Sequence, residues 1–241
     1  MSVGRLPQNV WVLTACQFLL MSTAPLVVFV GGLLGKDLAP TPKLATLPLS
    51  ALILGTALST IPAAMLMKRI GRKSGSFIGY GIALLGAFAA MQAAVQANFV
   101  LLLAGAGLLG SSMAFAQQFR FAALESLKDP GDFPTALSVM MLGGIASAYI
   151  GPELGLSGKD LIESPFGYAG SFLLLMGAIV LSMLLFSLYK EPEVVEEASD
   201  EPARPIGRIA RGPLFIVAVL SWGGKLWRDE LRDDGHSSQY A

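Results

Sequence analysis

Pro62–Gly75 reads PAAMLMKRIGRKSG: an apolar run ends inside it, and four cations, Lys68, Arg69, Arg72 and Lys73, follow within six residues. Behind it, Leu44–Met67 carries no charge over 24 residues, long enough to cross a bilayer core as a helix. Ahead of it, Ser74–Phe119 is free of charge over 46 residues, room for two further crossings around Gln96–Asn98. A dense cationic hairpin between two spans is what the positive-inside rule places in the cytoplasm. The remaining spans take their orientation from it.

Working outward gives six spans: about Val10–Leu34, Ala45–Met67, Ser76–Ala94, Phe99–Phe121, Thr135–Pro152 and Phe166–Tyr189. With both ends of this unit on the hairpin side, eleven cations fall inside and three, Lys36, Lys43 and Lys159, outside. The expectation is an all-α polytopic membrane helix bundle. In a bacterial cell it lies in the inner (plasma) membrane, multi-pass, with its N-terminus and linker cytoplasmic. Three segments are predicted: 1–189 with six spans, 190–212 as a charged cytoplasmic linker, and 213–241 as an aborted seventh span and polar tail. Glu191–Glu201 holds six acids, and such a charged, proline-bearing stretch buries too little to fold alone.

Composition agrees and excludes other classes. Apolar residues make up 54% and charged residues 14%, against roughly a quarter charged in average soluble domains. The net charge is zero, which gives no electrostatic case for nucleic acid, whose binding wants a basic stripe. Cys16, the one cysteine, reads as a small buried hydrophobe, and a single histidine, His236, rules out a histidine-built metal site. No cofactor is expected: the glycines of Gly105–Gly110 lie in a span, without the strand and acid of a nucleotide fingerprint. No paired carboxylates or nucleophile motif marks an enzyme.

Six spans, a linker and the start of a seventh resemble the first half of a major facilitator superfamily transporter, over about residues 8–222. That family's second-to-third-span hairpin reads G-x-x-x-D-R-x-G-R-[RK]. Arg69, Gly71, Arg72 and Lys73 match it, while Ala64 replaces the glycine and Lys68 the aspartate. The fifth-span element G-P-x-x-G-G of the antiporter branch is matched by Gly151, Pro152 and Gly155, with Leu156 in the last place. The resemblance implies two inverted three-helix repeats and secondary transport of a small solute by alternating access, coupled to a proton or another ion. The partners it implies are the bilayer and either a missing C-terminal half or a second copy.

It also implies roles for residues. The hairpin Lys68, Arg69, Gly71, Arg72 and Lys73 would help gate one face, although the same cations suffice to set topology, and Lys68 removes the latching aspartate. In the fifth span, Pro152 predicts a bend, and Gly144 and Ala148 a close helix approach. The family's cavity is lined by spans one and four, which makes Gln17, Gln117, Gln118 and Arg120 the substrate-binding candidates; polar groups at membrane depth are costly and usually face a cavity or a partner. Arg120 can instead snorkel to the headgroups. Tyr80, Gln92 and Tyr149 are weaker candidates.

Such a half supplies one wall of a site that normally lies between two halves. The abrupt switch after Leu220 to charged sequence points to a truncated carrier, inactive alone; codon degeneracy permits an apolar +1-frame reading of Trp222–Ala241. The alternatives are a half-size subunit that homodimerises into a carrier, and a non-transporting membrane scaffold.

Overall fold

The computed structural model describes residues 6–127 and 129–191. The expected linker from residue 192 onward and the seventh-span segment lie outside the described residues. Among the described residues all regular structure is helical, and six helices are long and apolar enough to cross a membrane. We label them α1 (Gln8–Leu38), α2 (Leu47–Ile70), α3 (Arg72–Gln96), α4 (Phe99–Glu125), α5 (Phe133–Ser157) and α6 (Ala169–Phe186). The chain is a multi-pass membrane protein.

Helices α1, α3, α4 and α5 reach beyond the expected boundaries, because short turns rather than charges end them, whereas α2 is shifted to Leu47–Ile70 and α6 is shorter than expected, Ala169–Phe186. The largest correction is at the cationic hairpin. It is no loop: Gly71 is the single residue between α2 and α3, and Arg72 and Lys73 already occupy the first turn of α3. Likewise Glu125 belongs to the last turn of α4 instead of a loop. At the opposite end Ala97 takes a left-handed turn, and Asn98 caps α4 by accepting from the Leu101 amide at 3.1 Å. In α1, Pro25 removes one backbone donor, and the chain widens into a π-turn over Val27–Gly31. Helix α5 continues through Pro152 to Ser157, so the expected end of this span at Pro152 is corrected, and Glu153 sits within the helix.

The packing repeats itself. Helix α2 packs on α4 as α5 packs on α1; α3 packs on α4 as α6 packs on α1; α3 and α6 meet each other, as do α1 and α4. Exchanging the first three helices for the last three therefore maps the set of neighbours onto itself, the arrangement of two three-helix repeats.

Small residues make the tightest contacts. In α2 and α4, a Cβ added at Gly55 would fall on the Gly107 carbonyl oxygen, and one at Gly110 on that of Leu52. Thr56 Oγ1 donates across this seam to the Gly110 carbonyl at 2.9 Å. Such close backbone approach stabilises helix pairs where lipid offers no hydrophobic drive. On α5 the close approaches come at Gly143 (to Thr14), Gly151 (to Ser22 and Pro25) and Gly155 (to Phe29 and Val30). Gly144, expected at such a contact, meets nothing within 4 Å, and Ala148 is exposed: the small-residue register is Gly143, Ser147, Gly151, Gly155. Near the hairpin end an aromatic stack of Phe119, Phe186 and Tyr189, with centroids 5.4 and 5.3 Å apart, ties α4 to the end of α6.

Candidate functional site

The hairpin end is fastened by polar groups from four segments. At Gly71 the backbone has φ 87° and ψ 157°, a region open essentially to glycine alone, and this permits the immediate reversal. Arg72 then forms a two-pronged pair with Glu125 of α4: its Nε donates to Oε2 at 2.6 Å, and a second guanidinium nitrogen donates to Oε1. Glu191 accepts from the Arg72 backbone amide at 2.9 Å, which sets a carboxylate at the positive N-terminus of α3. Asn9 brackets Lys190, donating to its carbonyl at 2.7 Å and accepting from its amide at 3.2 Å, and also donates to Ser126 at 3.2 Å. Thus Arg72 connects to an acid, while Lys68 and Arg69 are exposed. Sequence reading missed Asn9, Glu125 and Glu191, because their partners are up to 181 positions away.

One concave face crosses α2, α1 and α5. A cavity of about 420 Å³ lies between α2, α1 and α4, lined among others by Val28, Leu52, Thr56, Thr60, Met113 and Gln117. A second, of about 670 Å³, lies between α1 and α5 and includes Phe29 and Pro152. Ala24 and Val28 of α1 line both, so the two adjoin on one face. The π-turn carries Val28 and Phe29 to this face. Toward the hairpin a smaller cavity of about 240 Å³ is lined by Ala64, Met67, Lys68, Arg72 and Gln118.

The four candidate residues separate. Asn9 and Ser126 are bonded, so α1 and α4 run antiparallel from a common level; at about 1.5 Å per residue, Gln17 stands roughly 12 Å above it and Gln117 roughly 13.5 Å. They share a depth but not a face. Gln117 is exposed on the α2–α1–α4 groove, and Gln118 lines the smaller cavity. Gln17 is fully buried, lines neither groove, and neither of its amide atoms has a hydrogen-bond partner among the described residues. Arg120 is half-buried, with Nε likewise unpartnered. Tyr80 is buried and bonds Ser182 at 2.8 Å, whereas Tyr149 is exposed. Gly151 and Gly155 hold α5 against α1 beside the wider groove. Thr56 and Thr60 are lining residues that sequence reading passed over, since threonines four apart within an apolar run carry no distinguishing signal.

Comparison with known proteins gives a consistent picture. The family model described as Major Facilitator Superfamily matches residues 10–226. The chain is 36% identical over 222 residues to the riboflavin transporter RfnT of Brucella anthropi, covering 89% of this chain and 54% of that protein. It is 30% identical over 183 residues to YdeG of Bacillus subtilis, an uncharacterised transporter of the same type, covering 73% of this chain and 42% of that protein. YddS of the same organism, also described as an uncharacterised transporter of this type, is 27% identical over 169 residues, covering 69% and 38%. The chain thus spans about half the length, or less, of the curated relatives it matches. No solved structure matches it.

Proposed function

We propose that this chain, which belongs to the Major Facilitator Superfamily, serves membrane transport of a small solute and forms one of two walls of a secondary carrier for a flavin such as riboflavin. The observation that carries this reading is the concave face of α2, α1 and α5, with Gln117 on its α4 flank. Its lining is mostly apolar with a few hydroxyls and an amide, which suits a flat, uncharged, heteroaromatic solute better than an ion. The similarity to a riboflavin transporter supports a flavin as the solute.

A single wall binds weakly, and the solute is enclosed when a second six-span unit closes over it. That unit is the other half of the carrier. The hairpin faces the cytoplasm of a bacterium, as its cations require, and the groove opens alternately to either side. The Arg72–Glu125 pair keeps α3 and α4 together on the cytoplasmic side as the halves rock.

The test is uptake of radiolabelled riboflavin by a riboflavin-auxotrophic bacterium. The chain is expressed alone, and together with a second six-span half supplied as a separate polypeptide. Uptake only in the second case is expected. Full uptake by the chain alone, as a dimer, would replace the two-half reading with a half-size carrier, and no uptake in either case would reject the flavin.

A further inference from the structure

The groove between α2, α1 and α4 has three polar side chains, and only one of them has hydrogen-bonding capacity in both directions to spare. Thr56 Oγ1 spends its proton on the carbonyls of Leu52 and Gly110, at 3.0 and 2.9 Å. Thr60 Oγ1 spends its own on the Thr56 carbonyl at 2.7 Å. Both hydroxyls are left as acceptors. Gln117, the last residue before the turn at Gln118, is exposed to the groove, and its carboxamide has no hydrogen-bond partner among the described residues. A carboxamide offers a donor and an acceptor side by side in one plane. Around it are methyl, methylene and thioether groups: Val28, Leu52, Ile53 and Met113.

Resting on the flavin reading, we infer that Gln117 determines specificity by pairing, through its carboxamide, with the imide edge of the flavin ring. That edge presents one N–H flanked by two carbonyls. Oε1 of Gln117 accepts from the ring N–H while Nε2 donates to a neighbouring ring carbonyl, closing a two-bond planar pair, and the ring body lies along the apolar lining. A groove built to satisfy an imide discriminates against an analogue that lacks the N–H, because the analogue leaves Oε1 desolvated and unpaired. The same pairing admits other imide-bearing heterocycles of similar size and gives no advantage to a polyol alone. Gln118, one residue on, faces the separate cavity beside Lys68 and Arg72 and takes no part.

The experiment compares riboflavin with 3-methylriboflavin, in which a methyl group replaces the imide proton. Fluorescence quenching of each flavin is titrated with the full chain in lipid nanodiscs together with a second six-span half. The proteins are wild type, Gln117→Leu and Gln117→Glu. Wild type should bind riboflavin about tenfold more tightly than the methylated compound, as expected for losing one such bond and stranding its partner. Gln117→Leu should bind the two alike, at the weaker level. Gln117→Glu keeps an acceptor and loses the donor, so it should retain part of the preference. A Gln117→Leu protein that still prefers riboflavin tenfold overturns the inference while leaving the flavin reading intact. Wild type that binds neither flavin overturns both. Because Gln117 is exposed, the variants are expected to elute as wild type on gel filtration, and that elution profile separates lost pairing from lost folding.

Discussion

At Gly71 the chain reverses with one residue, and any Cβ there meets a backbone geometry reserved for glycine. Gly71→Ala is expected to cost about 1–3 kcal/mol, read as a lower midpoint of thermal unfolding in detergent. Gln17 makes the opposite case. Its carboxamide is buried without a partner, and a desolvated amide is costly, so Gln17→Leu should raise the unfolding midpoint, with a gain of about 1–3 kcal/mol. An unchanged or lower midpoint would mean that the amide has a partner, such as a buried water. The Arg72–Glu125 pair is partly exposed on both sides, with 26% and 42% side-chain accessibility, so solvent screening limits its worth. In a double-mutant cycle of Glu125→Gln and Arg72→Gln, the coupling energy between the two should be no more than about 1 kcal/mol.

The seam between α2 and α4 depends on missing side chains. Gly110→Ala places a methyl group onto the Leu52 carbonyl, and overpacking of this kind costs roughly 1–3 kcal/mol, so the unfolding midpoint should fall, while Gly144→Ala, whose added Cβ meets nothing, should hold it or raise it slightly. These two glycines also mark the limit of what the sequence discloses. Long charge-free runs announce six spans, because only a helix satisfies its backbone in lipid. The cations at Lys68–Lys73 set their order without any tertiary knowledge. Which glycine of the pair Gly143–Gly144 faces the neighbouring helix depends on a rotation of about 100° per residue, and a helix apolar all round does not reveal it. Helix ends were legible only roughly, since Arg72, Lys73 and Glu125 are charged and yet helical. Of the site, Gln117 and Gln118 were recognisable as polar residues in an apolar run. That Gln17 points inward, and that Asn9 reaches Lys190, depend on contacts between distant segments.

Burial is uneven across the bundle. In their most apolar stretches α2 and α5 have 11% and 22% of residues buried, against 44–50% for the other four. Two helices on one functional face that bury so little against their own unit are where a second unit would sit. Single cysteines at Ile53 of α2 and Ile145 of α5, 59% and 70% exposed, should therefore crosslink to a co-expressed second half, whereas one at Leu173 of α6 should not. Cys16 is fully buried and serves as a silent background in that assay. The reversal at Gly71 has a mechanical consequence for this assembly. With one residue between them, α2 and α3 behave as two arms of a bent lever with no slack, and Arg72, beside the fulcrum, is pinned to α4. A tilt of α2 is thus passed directly to α3, and through the packed α3–α4 contact to α4, with little slack to absorb it between the helices.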